Sequence, residues 1–171
     1  MNIVRIVSSF GFYVFRILAI AYLVTGLYAG FALMMGSPLA APVQSDSRFE
    51  IYYPFSQVPF LLGENSTAFV VEMLLGISLY GVFFWLLSNV FSTFRQPKLF
   101  TQQGIAHLTW FYRLNFLVPL AVLLLLSVVS SVEQIMVMLV VLHGLLGVFA
   151  LFMAAIFKQG VHLQNEQDLY I

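Results

Sequence analysis

The sequence contains no cysteine in its 171 residues, and charged residues make up only 8% of it. The absence of cysteine excludes disulfides, thiolate nucleophiles and cysteine-ligated metals. Soluble domains carry about 25% charged residues, so a soluble protein of this composition would lack the polar side chains to cover its surface. Seven basic and seven acidic residues balance to a net charge of zero, which argues against direct nucleic-acid binding.

Hydrophobic residues make up 61% of the chain and fall into four long runs. Each run is long enough to cross the hydrocarbon layer, which needs about 20 helical residues. We therefore predict an all-α integral membrane protein that forms one membrane domain over 1–171, a four-helix bundle with four transmembrane helices. The helices are expected at about 12–35, 67–92, 111–130 and 134–157, with an outer loop at 36–66, a cytoplasmic segment at 94–110 and a cytoplasmic tail at 158–171.

The first run follows Arg5 and Arg16, a basic start that is also typical of a signal peptide. A cut after Ala40 or Ala41 would leave Pro42 beside it, and the apolar run is long for a signal peptide. We expect an uncleaved first helix.

Small residues recur at helical spacing on the first and fourth helices. Gly26 and Gly30 have the GxxxG spacing, and Gly147, Ala150 and Ala154 form a similar stripe. Such residues let a neighbouring helix approach closely, and they permit a homodimer without requiring one.

Apolar residues alternate with others in the middle of the outer loop, at Phe49, Ile51, Tyr53 and Phe55. This period of two is typical of a half-buried strand or extended segment, although Pro54 and Pro59 argue against a central strand. We predict a short extended cap over the helix ends. Packing and interfacial anchoring explain it, and a ligand-sensing lid is the alternative.

The basic residues are divided unequally between the two sides of the predicted membrane domain. One side carries Arg5, Arg16, Arg95, Lys98, Arg113 and Lys158, whereas the other carries only Arg48. Because short cytoplasmic loops are enriched in Lys and Arg, both termini are expected in the cytoplasm. The chain is then a multi-pass membrane protein with an extracytoplasmic loop.

The segment at 94–110 is expected to lie at the membrane interface. Thr101 can cap a helix, and Trp110 and Arg113 are typical interfacial anchors. At the other side, Ser66 or Thr67 can cap the second helix.

Glu72 and His143 are the ionisable residues predicted inside the bilayer. Such residues usually face the protein interior or water, and a Glu72–His143 pair between helices two and four is possible. The pair could carry protons or cations, or it could fix the helix register. Alternatively, Glu72 simply reaches the outer membrane interface.

The tail combines polar and acidic residues after the last apolar run. Gly160 is expected to cap the fourth helix. His162, Gln164, Glu166 and Asp168 share one face if the tail is extended, whereas His162 pairs with Glu166 if it is helical. Either arrangement brings acidic residues near the basic cytoplasmic loop that carries Arg95, Lys98 and Arg113. Together these residues can form an intramolecular latch or bind a partner.

The tail residues Phe157, Gly160, Leu163-Gln164, Glu166 and Asp168-Leu169 resemble the C-terminal signature of the YoaS-like bacterial membrane proteins, a family of unknown function. Pro97, Phe100-Thr101 and Leu108 resemble the cytoplasmic element of the same family. The chain departs from the pattern at Gln103-Gly104, His107, Thr109 and Tyr170. The resemblance implies a four-helix inner-membrane protein without established enzymatic activity, often encoded beside a small helix-turn-helix regulator.

The residues do not point to an enzyme. There is no credible Ser-His-Asp arrangement, phosphate-binding glycine loop or HExxH motif, and His162, Glu166 and Asp168 are too few for a metal site. We expect no cofactor and no metal.

The main hypothesis is a regulatory or sensory membrane protein whose cytoplasmic face binds a protein partner. The alternative is a small transporter, channel or accessory subunit that uses Glu72 and His143.

Overall fold

A computed structural model describes residues 2–36, 40–43, 47–129 and 134–167. In these ranges the chain forms four long helices, α1 (Asn2–Met35), α2 (Thr67–Phe94), α3 (Gln102–Val129) and α4 (Gln134–Gln167), and three strands, β1 (Ala40–Val43), β2 (Arg48–Tyr52) and β3 (Pro59–Glu64). All four helices are long and apolar enough to cross a membrane by length and composition. The chain is therefore suited to a multi-pass membrane protein, as the four apolar runs predict.

The helix ends differ from the prediction in two places. The segment at 94–110 is not a separate interfacial piece, because α3 begins at Gln102 and continues without interruption into the apolar run. Its first turn is capped by Thr101, whose side-chain oxygen accepts a hydrogen bond from the Gly104 N–H at 3.0 Å. The predicted end of the fourth helix at 157 is also wrong, because α4 extends to Gln167. Residues 130–133, between the third and fourth predicted helices, lie outside the described residues.

The contacts divide the described residues into two compact units. The α3–α4 unit takes those of Met1–Arg16 and Phe83–Ile171, and the sheet unit takes those of Ile17–Val82. Helices α1 and α2 each supply residues to both units.

The loop after α1 contains a three-stranded antiparallel sheet in the order β1-β2-β3. The sequence predicts one extended segment, and the expectation that prolines exclude a central strand is wrong for Arg48–Tyr52. This central strand ends before Pro54, while Pro42 and Pro59 lie in the edge strands. Edge strands tolerate proline because one side of their backbone has no strand to bond.

The sheet covers helix ends within its own unit, as the predicted cap requires. Phe49 and Ile51 of β2 are buried and pack with Ala29 and Ala32 of α1. The Tyr28 hydroxyl donates a hydrogen bond to the Tyr52 carbonyl oxygen at 2.5 Å. Ser66 caps α2 by accepting a hydrogen bond from the Phe69 N–H at 3.2 Å.

Small residues bring helices close together at several of the predicted positions. A Cβ at Gly26 would lie 2.9 Å from Ser78 Oγ, whereas Gly30 has nothing within 4 Å. In the other unit, α3 packs against α4, where a Cβ at Gly147 would lie 2.9 Å from the Phe116 ring. Of the GxxxG pair, Gly26 therefore lies at a close contact between helices and Gly30 does not. The stripe on α4 contributes to the contact between α3 and α4.

Candidate functional site

The last turns of α4 are fixed to the start of α3 by an apolar cluster. Phe157 and Leu108 are each 1% exposed and form its centre, together with Ala154. The Phe157 ring meets the Phe100 and Phe94 rings edge-on, with centroids 5.3 and 5.5 Å away. These contacts hold the end of α4 against the 95–101 connection between α2 and α3.

Gly160 lies inside α4 and does not end it, so the predicted C-cap is wrong. A Cβ at this position would lie 2.5 Å from the ring of Phe100. Glycine is needed here for the close approach of an aromatic ring. Val161, 9% exposed, extends the buried face by one residue.

We call the contacts of Phe157 and Gly160 the anchor. Beyond the anchor, α4 continues as a polar helix. Residues 162–166 are all exposed, and His162 Nε2 lies 3.2 Å from Glu166 Oε1. This i, i+4 contact is the one predicted for a helical tail. Asp168, the other acidic residue of the predicted tail surface, is outside the described residues.

The three basic residues assigned to the site are in different surroundings. Lys98 and Arg113 are exposed. The Arg95 guanidinium instead lies over the Phe12 ring, 4.4 Å from its centroid. Among the described residues, none of the three forms an ion pair with Glu166. The contact between α4 and the 95–101 connection is therefore apolar at the described positions.

His143 lies on α4 and contacts α3. Its Nδ1 is 2.7 Å from Asn115 Oδ1, and its ring meets Phe83 edge-on at 5.0 Å. Asn115 is 4% exposed, and its amide nitrogen donates to the Phe111 carbonyl oxygen at 2.8 Å. Because both groups are on facing helices, the contact is suited to fixing helix register.

Glu72 lies in the second turn of α2, in the sheet unit, and is half-buried. It takes part in an interaction within the folded chain. The predicted Glu72–His143 pair, and the transport function built on it, stay predictions.

Sequence reasoning missed a polar contact between α1 and α2 in the α3–α4 unit. An Arg16 guanidinium nitrogen donates to Asn89 Oδ1 at 2.6 Å, and the same guanidinium lies 3.8 Å from the Trp85 ring centroid. The signal was present, because an asparagine in an otherwise apolar helix needs a partner. Asn89 and Asn115 are two such residues, and each has one.

In the described part of the chain, no three His, Cys, Asp or Glu side chains come close enough together to hold a metal ion.

No family model matches the chain, and no curated protein or solved structure is significantly similar to it. The resemblance to the YoaS-like proteins therefore stays a prediction that rests on the tail and loop residues.

Proposed function

We propose that the chain is a non-enzymatic regulatory protein of the bacterial inner membrane, with both termini in the cytoplasm, and that the end of α4 binds a cytoplasmic protein. The observation that carries the proposal is the abrupt change along one continuous helix. Helix α4 is apolar up to Phe157 and then exposes every residue from His162 to Glu166. A helix that only crossed the membrane would not need this exposed polar segment at its end.

The proposed docking surface is the exposed end of α4, with His162 and Glu166 on one face of the helix and Gln164 on the opposite face, together with the following Asp168 and with Lys98 of the 95–101 connection. The anchor at Phe157 and Gly160 supports this role, because a partner binds more tightly to a surface that is already ordered. Arg95 is not counted in it, since its guanidinium is stacked on Phe12. The acidic and amide groups are suited to a basic partner, such as a small helix-turn-helix regulator.

Affinity purification of the full chain in mild detergent tests the proposal. The wild type is expected to recover a cytoplasmic protein that the double variant Glu166→Ala with Asp168→Ala does not. The matched control is Glu50→Ala with Glu64→Ala, which removes the same charge from the sheet. Recovery of the same proteins by the wild type and by the tail variant would refute docking through this surface.

A further inference from the structure

Two guanidinium groups share one aromatic ring of α1, one of them from α1 itself and the other from the residue that follows α2. The guanidinium carbons of Arg16 and Arg95 lie 5.1 and 4.4 Å from the centroid of the Phe12 ring. The Arg5 guanidinium donates to the carbonyl oxygen of Pro97, two residues after Arg95 in the chain, at 3.3 Å. We call Arg5, Arg16 and Arg95 the arginine cluster.

The charge of the arginine cluster is not balanced by the described residues around it. Glu166 is the one acidic residue that the structure describes in the α3–α4 unit, and it pairs with His162. Arg95 Nη1 is buried and donates no hydrogen bond to any described residue. A buried guanidinium nitrogen without an acceptor is costly. Because no described acidic group forms an ion pair with the cluster, its three half-buried arginine side chains are suited to an anion from outside the chain.

The length of α1 allows the arginine cluster to lie at the level of the lipid headgroups. Helix α1 has 34 residues, and at 1.5 Å per residue it is about 51 Å long, well beyond the roughly 30 Å of hydrocarbon. The neighbouring Tyr13 and Trp85 are 58% and 42% exposed. Aromatic residues of these two types are typical of the membrane–water interface.

We propose that the arginine cluster binds the phosphodiester group of an anionic phospholipid such as phosphatidylglycerol. The planar guanidinium fork matches two phosphate oxygens, and basic pockets near membrane helices bind lipid headgroups. A lipid fits better than free phosphate because the exposed rings of Trp85 and Tyr13 have their centroids 3.8 Å from the guanidinium carbon of Arg16 and 5.6 Å from that of Arg95 and can contact an acyl chain. This site is independent of the proposed docking surface.

Native mass spectrometry of the full chain in a neutral detergent tests the proposal. Phosphatidylglycerol and phosphatidylcholine with the same acyl chains are added in parallel. The wild type is expected to bind one phosphatidylglycerol in preference to phosphatidylcholine. Removing one cluster charge in Arg95→Gln is expected to weaken this binding about fivefold.

Three further variants separate the site from general charge and from misfolding. Arg113→Gln removes an exposed cation elsewhere in the unit and is expected to leave the binding unchanged. Arg95→Lys keeps the charge but loses the fork, so an intermediate affinity is expected. If Arg95→Gln does not fold, as judged by helix content and monodispersity, Arg5→Gln is measured in its place. Arg5 is chosen because its contact with Pro97 is exposed.

Equal binding of the two lipids would overturn the proposal. An equal loss in Arg113→Gln and Arg95→Gln would overturn it too, because general charge would then explain the binding. Displacement of phosphatidylglycerol by millimolar inorganic phosphate would overturn the assignment to a lipid.

Discussion

Gly160 illustrates what one residue in a sequence can and cannot reveal. A glycine after an apolar helix is typical of a C-cap, but it is equally suited to a close contact with another element. The choice depends on Phe100, which is distant in the chain, and its ring lies where a Cβ would be. The residues next to Gly160 in the sequence do not indicate its contact with Phe100.

Gly160→Ala is expected to destabilise the protein, because overpacking costs about 1–3 kcal/mol and the helix propensity of alanine returns only about 1 kcal/mol. Gly144→Ala is the matched control, since a Cβ there meets nothing within 4 Å. Thermal unfolding of the two variants in one detergent should give a lower Tm for Gly160→Ala and an equal or higher Tm for Gly144→Ala. An equal rise in both would mean that Phe100 does not approach Gly160.

The contact between His143 and Asn115 makes a second single-residue prediction. A double-mutant cycle with His143→Leu and Asn115→Leu is expected to show a coupling free energy of roughly 0.6 kcal/mol, as for hydrogen bonds between membrane helices. Reversible unfolding in mixed micelles measures it. Strictly additive effects of the two substitutions would show that the 2.7 Å contact does not contribute to stability.

The helices were predictable from the sequence to a much greater extent than the connections between them. Apolar runs of sufficient length predict helices by themselves, since the backbone must be hydrogen-bonded within the hydrocarbon layer. The connection after α1 has no such constraint. Its alternating residues predict burial of Phe49 and Ile51 but not the pairing of three strands, which depends on register between separate segments.

The end of α4 was only partly predictable for a similar reason. The two possible conformations of the tail gave different pairings, and the i, i+4 pairing of His162 with Glu166 agrees with the helical one. The contacts of Arg16 with Asn89 and of Arg95 with Phe12 join distant parts of the chain. Residue spacing carries no information about such pairs.

The sheet provides a prediction about β2. Ile51 is 0% exposed, and Ile51→Ala is expected to cost about 2–5 kcal/mol, because it removes buried methyl groups and leaves a cavity. Leu62→Ala on β3 is the control, since Leu62 is 61% exposed and surface changes are usually worth less than about 0.5 kcal/mol. The free energy of unfolding of both variants checks this. Similar losses would contradict the packing of β2 on α1.

For the chain as a whole, the proposed function depends on which side of the membrane carries the end of α4. Six of the seven basic residues lie on the side that we assign to the cytoplasm. The positive-inside rule is strongest for short loops close to the helix ends, and the 95–101 connection is such a loop. If the orientation were reversed, the proposed docking surface would face away from any cytoplasmic partner.

Cysteine labelling in intact cells measures this orientation directly, because the chain has no cysteine of its own. Ser56→Cys places a thiol in the exposed turn between β2 and β3, and Asn165→Cys places one on the exposed end of α4. With a membrane-impermeant maleimide, Ser56→Cys should be labelled in intact cells and Asn165→Cys only after permeabilisation. Labelling of Asn165→Cys in intact cells would contradict both the cytoplasmic position of the α4 end and the docking function that rests on it.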